Sequence, residues 1–260
     1  MAKFCPLFSG SSGNSTYIEY GGTGVLIDAG CSAKAIKNAL EQRNAAPEKV
    51  KGIFITHEHG DHTDAVRVFA SKYGTPVFAT AETIEQMIQS GVMTGDFPVC
   101  VIDDSPVAIG DLTVSCFKTS HDAVDSCGYV VKTKKRSFAV CTDLGYVSKT
   151  VRDAVTGCDV ILFESNHDME MLKTGPYSPF LKNRIMSRHG HLSNAACAEE
   201  LPNFIRNGAT RIVLGHISKE NNMPDLAYST TIQRLRLDSM GRNDCLIYTA
   251  PPKDGPVISC

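Results

Sequence analysis

One stretch limits this chain more than any other: the apolar, strand-type segment Val50, Ile53, Phe54 and Ile55 runs directly into Thr56-His57-Glu58-His59-Gly60-Asp61-His62. Packing gives no reason for an apolar strand to end in three histidines and two acids within six residues, 57 to 62. Gly60 supplies the tight backbone turn that lets the chain double back. His57 and His59 alternate in an extended stretch, whereas Asp61 and His62 should open the first turn of a helix. The two pairs can therefore address neighbouring but different positions, and two divalent metal ions are the natural occupants. Imidazole with carboxylate is a donor set that zinc, manganese and iron all accept without a thiolate. A lone histidine is usually a surface or satisfied core residue; His-x-His-x-Asp-His after a strand is a far more specific signature.

At 260 residues the chain can bury a sizeable core, and a single domain over residues 1–260 is the expectation. The net charge of -2 makes no global electrostatic case for nucleic acid, so such a partner would have to be held by a local basic patch. Residues Met1 to Ser9 lack the sustained apolar stretch of a signal peptide, and no segment reaches bilayer-spanning length. A soluble, cytoplasmic protein without a membrane partner is expected. The ten cysteines are scattered with no Cys-x-x-Cys pair, and they read as small hydrophobic residues in a reducing compartment.

Strands and hairpin turns open the chain: Phe4 to Phe8, Thr16 to Tyr20 and Val25 to Asp28, parted by Ser9 to Asn14 and Gly21 to Gly24. The Ser9-Gly-Ser-Ser-Gly-Asn loop lacks the Gly-Lys-Ser/Thr ending of a phosphate-binding P-loop and reads as a turn, with no nucleotide cofactor. A helix from Ser32 to Arg43, with Ser32 as N-cap, crosses to the histidine-bearing strand. Helices at Asp64 to Lys72 and Glu82 to Gln89 flank a short strand at Pro76 to Ala79. Strands then follow at Val107 to Ile109, Leu112 to Lys118, Gly128 to Thr133 and Phe138 to Thr142. The second half alternates helices near 148–155, 178–187, 193–207 and 226–237 with strands at Val160 to Glu164, Arg211 to Leu214 and Cys245 to Thr249. The pattern predicts an α+β chain folded as a four-layer αββα sandwich.

Further ligands should stand where apolar strands end. Val114 to Ser120 leads to His121, Phe138 to Thr142 to Asp143, and Arg211 to Gly215 to His216. An aspartate after a strand is more often a turn or cap residue, but the same arrangement recurring along one chain makes coincidence a poor explanation.

The order and context of these motifs resemble the metallo-β-lactamase-fold hydrolases over essentially the whole chain. Leu26-Ile-Asp28-Ala-Gly30 is similar to that superfamily's first motif, whose aspartate supports the ligands. The resemblance assigns His57, His59 and His121 to one metal and Asp61, His62 and His216 to the other, with Asp143 bridging. Two such ions lower the pKa of water between them, so a metal-bridging hydroxide is the expected nucleophile and no serine or cysteine is required. Asp61 is expected to orient that nucleophile as well as to ligate.

The fold does not choose a substrate. Polar groups follow a strand again at Asn166, His167 and Asp168, and Lys182, Arg184 and Arg188 precede His191 and Ser193. His191 lies just before the helix N-cap Ser193, where it can stabilise a phosphoryl oxygen or protonate a leaving oxygen. Asn166, His167, Lys182, Arg184 and Ser193 are the candidate substrate-binding residues. Ser9 to Ser15, Thr56 to His62, Glu164 to His167, Gly190 to Ser193 and Gly215 to Ser218 together resemble the YycJ/WalJ-like branch. That resemblance implies a phosphodiesterase of nuclease type acting on DNA, with 5′-to-3′ exonuclease action. The alternatives are a small-molecule hydrolase (cyclic phosphodiesterase, thioester or lactone hydrolase) and a diiron redox module.

Overall fold

The computed structural model describes residues 1–260. Apolar runs parted by glycine turns build β1 (Lys3–Phe8), β2 (Ser15–Tyr20) and β3 (Thr23–Ile27) as an antiparallel meander. Helix α1 (Ala33–Gln42) starts at Ser32, whose hydroxyl accepts from the Ala35 amide at 3.2 Å, and crosses to β4 (Val50–Phe54), parallel to β3. Then come α2 (Gly60–Thr63), α3 (Val66–Tyr73), β5 (Val77–Ala79), α4 (Ala81–Gln89) and β6 (Val99–Val101), the last two strands extending the parallel half.

The second sheet repeats the plan. Strands β7 (Val107–Ile109), β8 (Leu112–Lys118), β9 (Cys127–Lys132) and β10 (Ser137–Cys141) are antiparallel. Helix α5 (Lys149–Val155), β11 (Val160–Glu164), α6 (Met169–Thr174), α7 (Pro179–Ile185), α8 (Asn194–Arg206), β12 (Arg211–Gly215), α9 (Pro224–Leu237) and β13 (Leu246–Thr249) complete it, with β11, β12 and β13 parallel to β10. A two-residue strand, β14 (Ile258–Ser259), returns to pair with β1. The sheets are seven-stranded, in the orders β14-β1-β2-β3-β4-β5-β6 and β13-β12-β11-β10-β9-β8-β7.

Three apolar clusters hold the layers. Phe4, Ile18, Ile27, Phe54 and Phe78 of the first sheet face Val114, Tyr129, Phe138, Leu162 and Val213 of the second between the sheets. Leu40, Phe69 and Met87 cover the outer face of the first sheet, and Val151, Leu201, Phe204 and Leu235 that of the second. This is the four-layer αββα sandwich. Tyr129 stands edge-on to Phe54, with ring centroids 5.6 Å apart, and its buried hydroxyl donates to the Ile55 carbonyl at 2.7 Å. A buried phenol needs such a partner, and here the bond ties the second sheet to the chain two residues before His57.

Besides the three-residue β6, two elements were not delimited in the sequence. Six-residue α6 is too short to show helical periodicity; its start is set by Asp168, whose carboxylate accepts from the Glu170 and Met171 amides at 3.0 and 2.9 Å. Strand β14 is recognised only by its pairing with β1. The strand expected to reach Asp28 stops at Ile27, because Asp28 turns into the left-handed region at φ 63°.

Candidate metal centre

Strands β8, β10, β11 and β12 run in one direction, so their carboxyl ends share one rim of the second sheet. In parallel α/β sheets, this is the rim where ligands bind. The chain leaves three strands through residues with left-handed backbone: Asp28 after β3 (φ 63°), Asp143 after β10 (φ 59°) and His216 after β12 (φ 51°). Such conformations cost a side-chain-bearing residue about 1–3 kcal/mol and persist only where the surrounding fold imposes them. Gly30 lies so close to the His-rich turn that a Cβ there would sit 1.6 Å from the Asp61 carbonyl. The Asn14 and Ala29 amides donate to the Asp61 and His62 carbonyls, each at 2.8 Å.

Six of the eight histidines converge on this rim. His57, His59 and His121 form one group, with His57 Nε2 3.0 Å from His59 Nδ1. Thr56 Oγ1 lies 2.9 Å from His57 Nδ1, and the Gly190 carbonyl 3.1 Å from His121 Nδ1, leaving both Nε2 atoms to the centre. Asp61, His62 and His216 form a second group. His62 Nδ1 faces Asp28 Oδ2 at 2.8 Å, and His216 Nδ1 faces Glu164 Oε1 at 2.7 Å, so their Nε2 atoms also turn inward. Asp143 lies between the groups, with Oδ2 3.3 Å from His62 Nε2 and Oδ1 3.7 Å from His121 Nε2.

The donors fit a divalent cation. Asp143 Oδ2 and His216 Nε2 are buried without a hydrogen-bond partner, which is costly unless something positive lies between them. Burial pushes His57 well down and His121 down, keeping both rings neutral, the form that ligates. At His62 burial is outweighed by Asp28, Asp143 and Asp61, which push the ring up to about 10. Burial at His216 is likewise outweighed by Asp143 and Glu164, to about 9. Against burial, His216 and His62 hold Asp143 well below the usual carboxylate range. Without a metal, protons on His62 and His216 balance this surplus of carboxylate; a divalent ion would take their place. The donor set is nitrogen and oxygen only, and all ten cysteines are free thiols outside it.

Sequence reasoning missed the part played by Glu164. Its side chain is fully buried, receives the Leu144 and Leu192 amides at 2.7 and 3.1 Å, and reaches both His216 and His191, the latter at 2.9 Å. Burial would raise its pKa, but His191 and His216 hold it at about 2, so it is a carboxylate. The signal was present, since Glu164 ends β11 as Asp143 and His216 follow β10 and β12; a buried acid at a strand end needs cationic or donor partners.

The other candidates stand around the rim and are mostly engaged. Asn166 Nδ2 donates to the His216 carbonyl at 2.9 Å, and Ser193 Oγ accepts from the Ala196 amide at 3.2 Å as N-cap of α8. Lys182 Nζ donates to the Lys173 carbonyl at 2.7 Å, and Arg184 pairs with Asp122. His167 is buried with neither ring nitrogen hydrogen-bonded, and burial lowers it to about 4. A cavity of about 500 Å³ between α9 and β13 contains none of these residues.

A two-sheet sandwich carrying histidine and carboxylate donors on one rim is the arrangement of the beta-lactamase superfamily, and the chain belongs to it: the superfamily's domain model matches residues 23–217. Within it the chain is 39% identical over 254 residues to the exodeoxyribonuclease WalJ of Streptococcus pneumoniae serotype 2, covering 96% of this chain and 94% of that protein. It is 35% identical over 253 residues to the exodeoxyribonuclease YycJ of Bacillus anthracis, covering 96% of each. Among solved structures, the metallo-beta-lactamase fold protein YhfI of Bacillus subtilis superposes with a TM-score of 0.75 at 15% identity, over 99% of this chain and 98% of that one. The short form of human tRNase Z superposes with a TM-score of 0.62 at 17% identity, over 100% of this chain and 99% of that one. At these identities the structural matches speak to the fold alone.

Proposed function

We propose that the protein is a single-domain, metal-dependent exodeoxyribonuclease that removes nucleotides from DNA in the 5′-to-3′ direction. The observation that carries this reading is the 35–39% identity to named exodeoxyribonucleases over nearly the full length of both chains. His57, His59 and His121 would hold one divalent ion and Asp61, His62 and His216 a second, with Asp143 shared; zinc and manganese suit these donors, and iron is compatible. When bound, such ions activate water and neutralise charge on the attacked phosphoryl group.

The chain's own residues supply the rest. The Asp61 carboxylate, with Asn14 Nδ2 3.3 Å from Oδ2, orients the attacking water. Glu164 fixes His191 through Nδ1, so Nε2 is the atom that hands a proton to the leaving oxygen. Glu164 stays ionised and keeps its bond to Nδ1 while Nε2 gives up its proton. No helix is long and apolar enough to cross a membrane, and the free thiols support a reducing, cytoplasmic setting.

The test is incubation of the purified protein with manganese and end-labelled single- and double-stranded DNA, beside Asp61→Ala. Progressive metal-dependent shortening from the 5′ end, absent in the variant, is expected. No metal-dependent degradation would overturn the reading in favour of a small-molecule hydrolase.

A further inference from the structure

Of the eleven phenylalanines and eight tyrosines, Phe180 alone is exposed, at 81%. A single exposed apolar side chain is ordinary; its setting is not. Phe180 lies on α7, and this helix is fastened to the metal centre at its far end. Arg184 pairs with Asp122, whose Oδ1 is 3.2 Å from His121 Nε2, and the Ile185 carbonyl accepts from the His191 amide at 2.9 Å. Gly190 packs so tightly under α7 that a Cβ would lie 2.2 Å from the Ile185 carbonyl. Val124, two residues after Asp122, is 52% exposed, and its amide donates at 3.0 Å to Glu58, the residue between His57 and His59.

Charge is segregated in the same place. From Met171 to Ala198 the chain has no aspartate or glutamate and carries Lys173, Lys182, Arg184 and Arg188; Lys173 pairs with Glu170 and Arg184 with Asp122, which leaves Lys182 and Arg188 without a carboxylate partner in a protein whose net charge is -2. Arg188 is held on the Tyr146 ring, 4.1 Å from its centroid, three residues after Asp143. Leu237 is as exposed as Phe180, at 81%, but an aliphatic side chain offers no π face.

We propose that Phe180 is the platform on which the terminal unpaired base of a single-stranded DNA end stacks, with Lys182 and Arg188 on its phosphates, as the strand enters the histidine cluster. Aromatic faces bind bases in this way without sequence preference, and basic side chains follow the backbone. The inference rests on the exodeoxyribonuclease reading and adds to it the surface that receives the strand end.

The test uses the manganese-loaded full chain, Phe180→Ala and Phe180→Trp. Substrates are a single-stranded oligonucleotide, the same oligonucleotide with base-free terminal nucleotides, and bis-para-nitrophenyl phosphate. Phe180→Ala should raise the KM for the intact oligonucleotide about tenfold relative to that for the small diester, and Phe180→Trp should restore it. Removing the terminal bases should weaken binding to the wild type and make little further difference to Phe180→Ala. Equal KM for wild type and Phe180→Ala, or equal sensitivity of both to the missing bases, would overturn the inference. So would a change of oligomeric state in Phe180→Ala without an effect on DNA, which would make the residue a self-association contact. A wild type that cleaves the small diester and no DNA would overturn the exodeoxyribonuclease reading itself, and the stacking platform with it.

Discussion

His57, His59, Asp61 and His62 reach the centre together on one turn after β4, whereas His121, Asp143, Glu164, His191 and His216 each arrive from a separate strand end or loop of the second sheet. The turn is braced by several small contacts: Asp28 on His62, Thr56 on His57, and Asn14 on Asp61. On the dispersed side Glu164 alone touches two backbone amides and two histidines, while the Gly190 carbonyl faces His121 and Ser9 and Asn166 hold the His216 backbone. Contiguous donors can share a local scaffold; His191 and His216, which come from separate loops, share one buried carboxylate instead.

Four measurements would break or sharpen that contrast, given in order of expected effect. Asp61→Ala should strip metal from one position and reduce turnover below about one-thousandth of wild type; metal analysis beside kinetics checks both, and retained turnover would remove Asp61 from the reaction. Glu164→Gln keeps the shape but loses the charge shared by His191 and His216, so kcat should fall about 10- to 100-fold. Asp28→Asn, its counterpart on the turn, should weaken metal binding with a smaller change in kcat. Equal kcat losses in the two variants would show that the sides are braced alike.

The third concerns pH. In metal-free protein His62 and His216 are raised from 6.5 to about 10 and about 9, so the stability they contribute is fully present below 6.5 and is lost as pH rises through those values. Glu164 is depressed from 4.5 to about 2, so its contribution is present above 4.5 and is lost as pH falls to about 2. The Tm of metal-free protein should therefore fall by several degrees between about pH 6.5 and 9, and added metal, replacing the two protons, should abolish that fall. A flat alkaline limb without metal would disprove the charge balance described for the centre. The smallest effect is that of Ser193→Ala, which removes a helix cap and should cost about 1 kcal/mol in denaturant unfolding with little change in kcat. A large kcat loss would return Ser193 to the substrate.

The same contrast explains what could be read from the chain. Strands Val107 to Ile109, Leu112 to Lys118 and Val160 to Glu164 match their observed limits, and the serine caps at Ser32, Ser148, Ser178 and Ser193 mark four helix starts. These signals are local, carried by period-two alternation or by one hydroxyl. The His57 to His62 turn was legible for the same reason. Glu164 was not, because its meaning depends on four partners that only the folded sheet brings within 3.1 Å. Ser9 and Asn14 read correctly as turn residues, but their second task was invisible: Ser9 Oγ accepts from the His216 amide at 2.8 Å, a contact spanning 207 positions.

The spread of the donors from residue 57 to residue 216 bears on how such a protein is made. A growing chain emerges N-terminus first and at a finite rate. When the His57 to His62 turn appears, only a partial donor set exists, and His216 cannot join until β12 has docked beside β11. Filling the site built from Asp61, His62 and His216 would thus be tied to the closing steps of folding, whereas the His57, His59 and His121 group is complete as soon as β8 has docked.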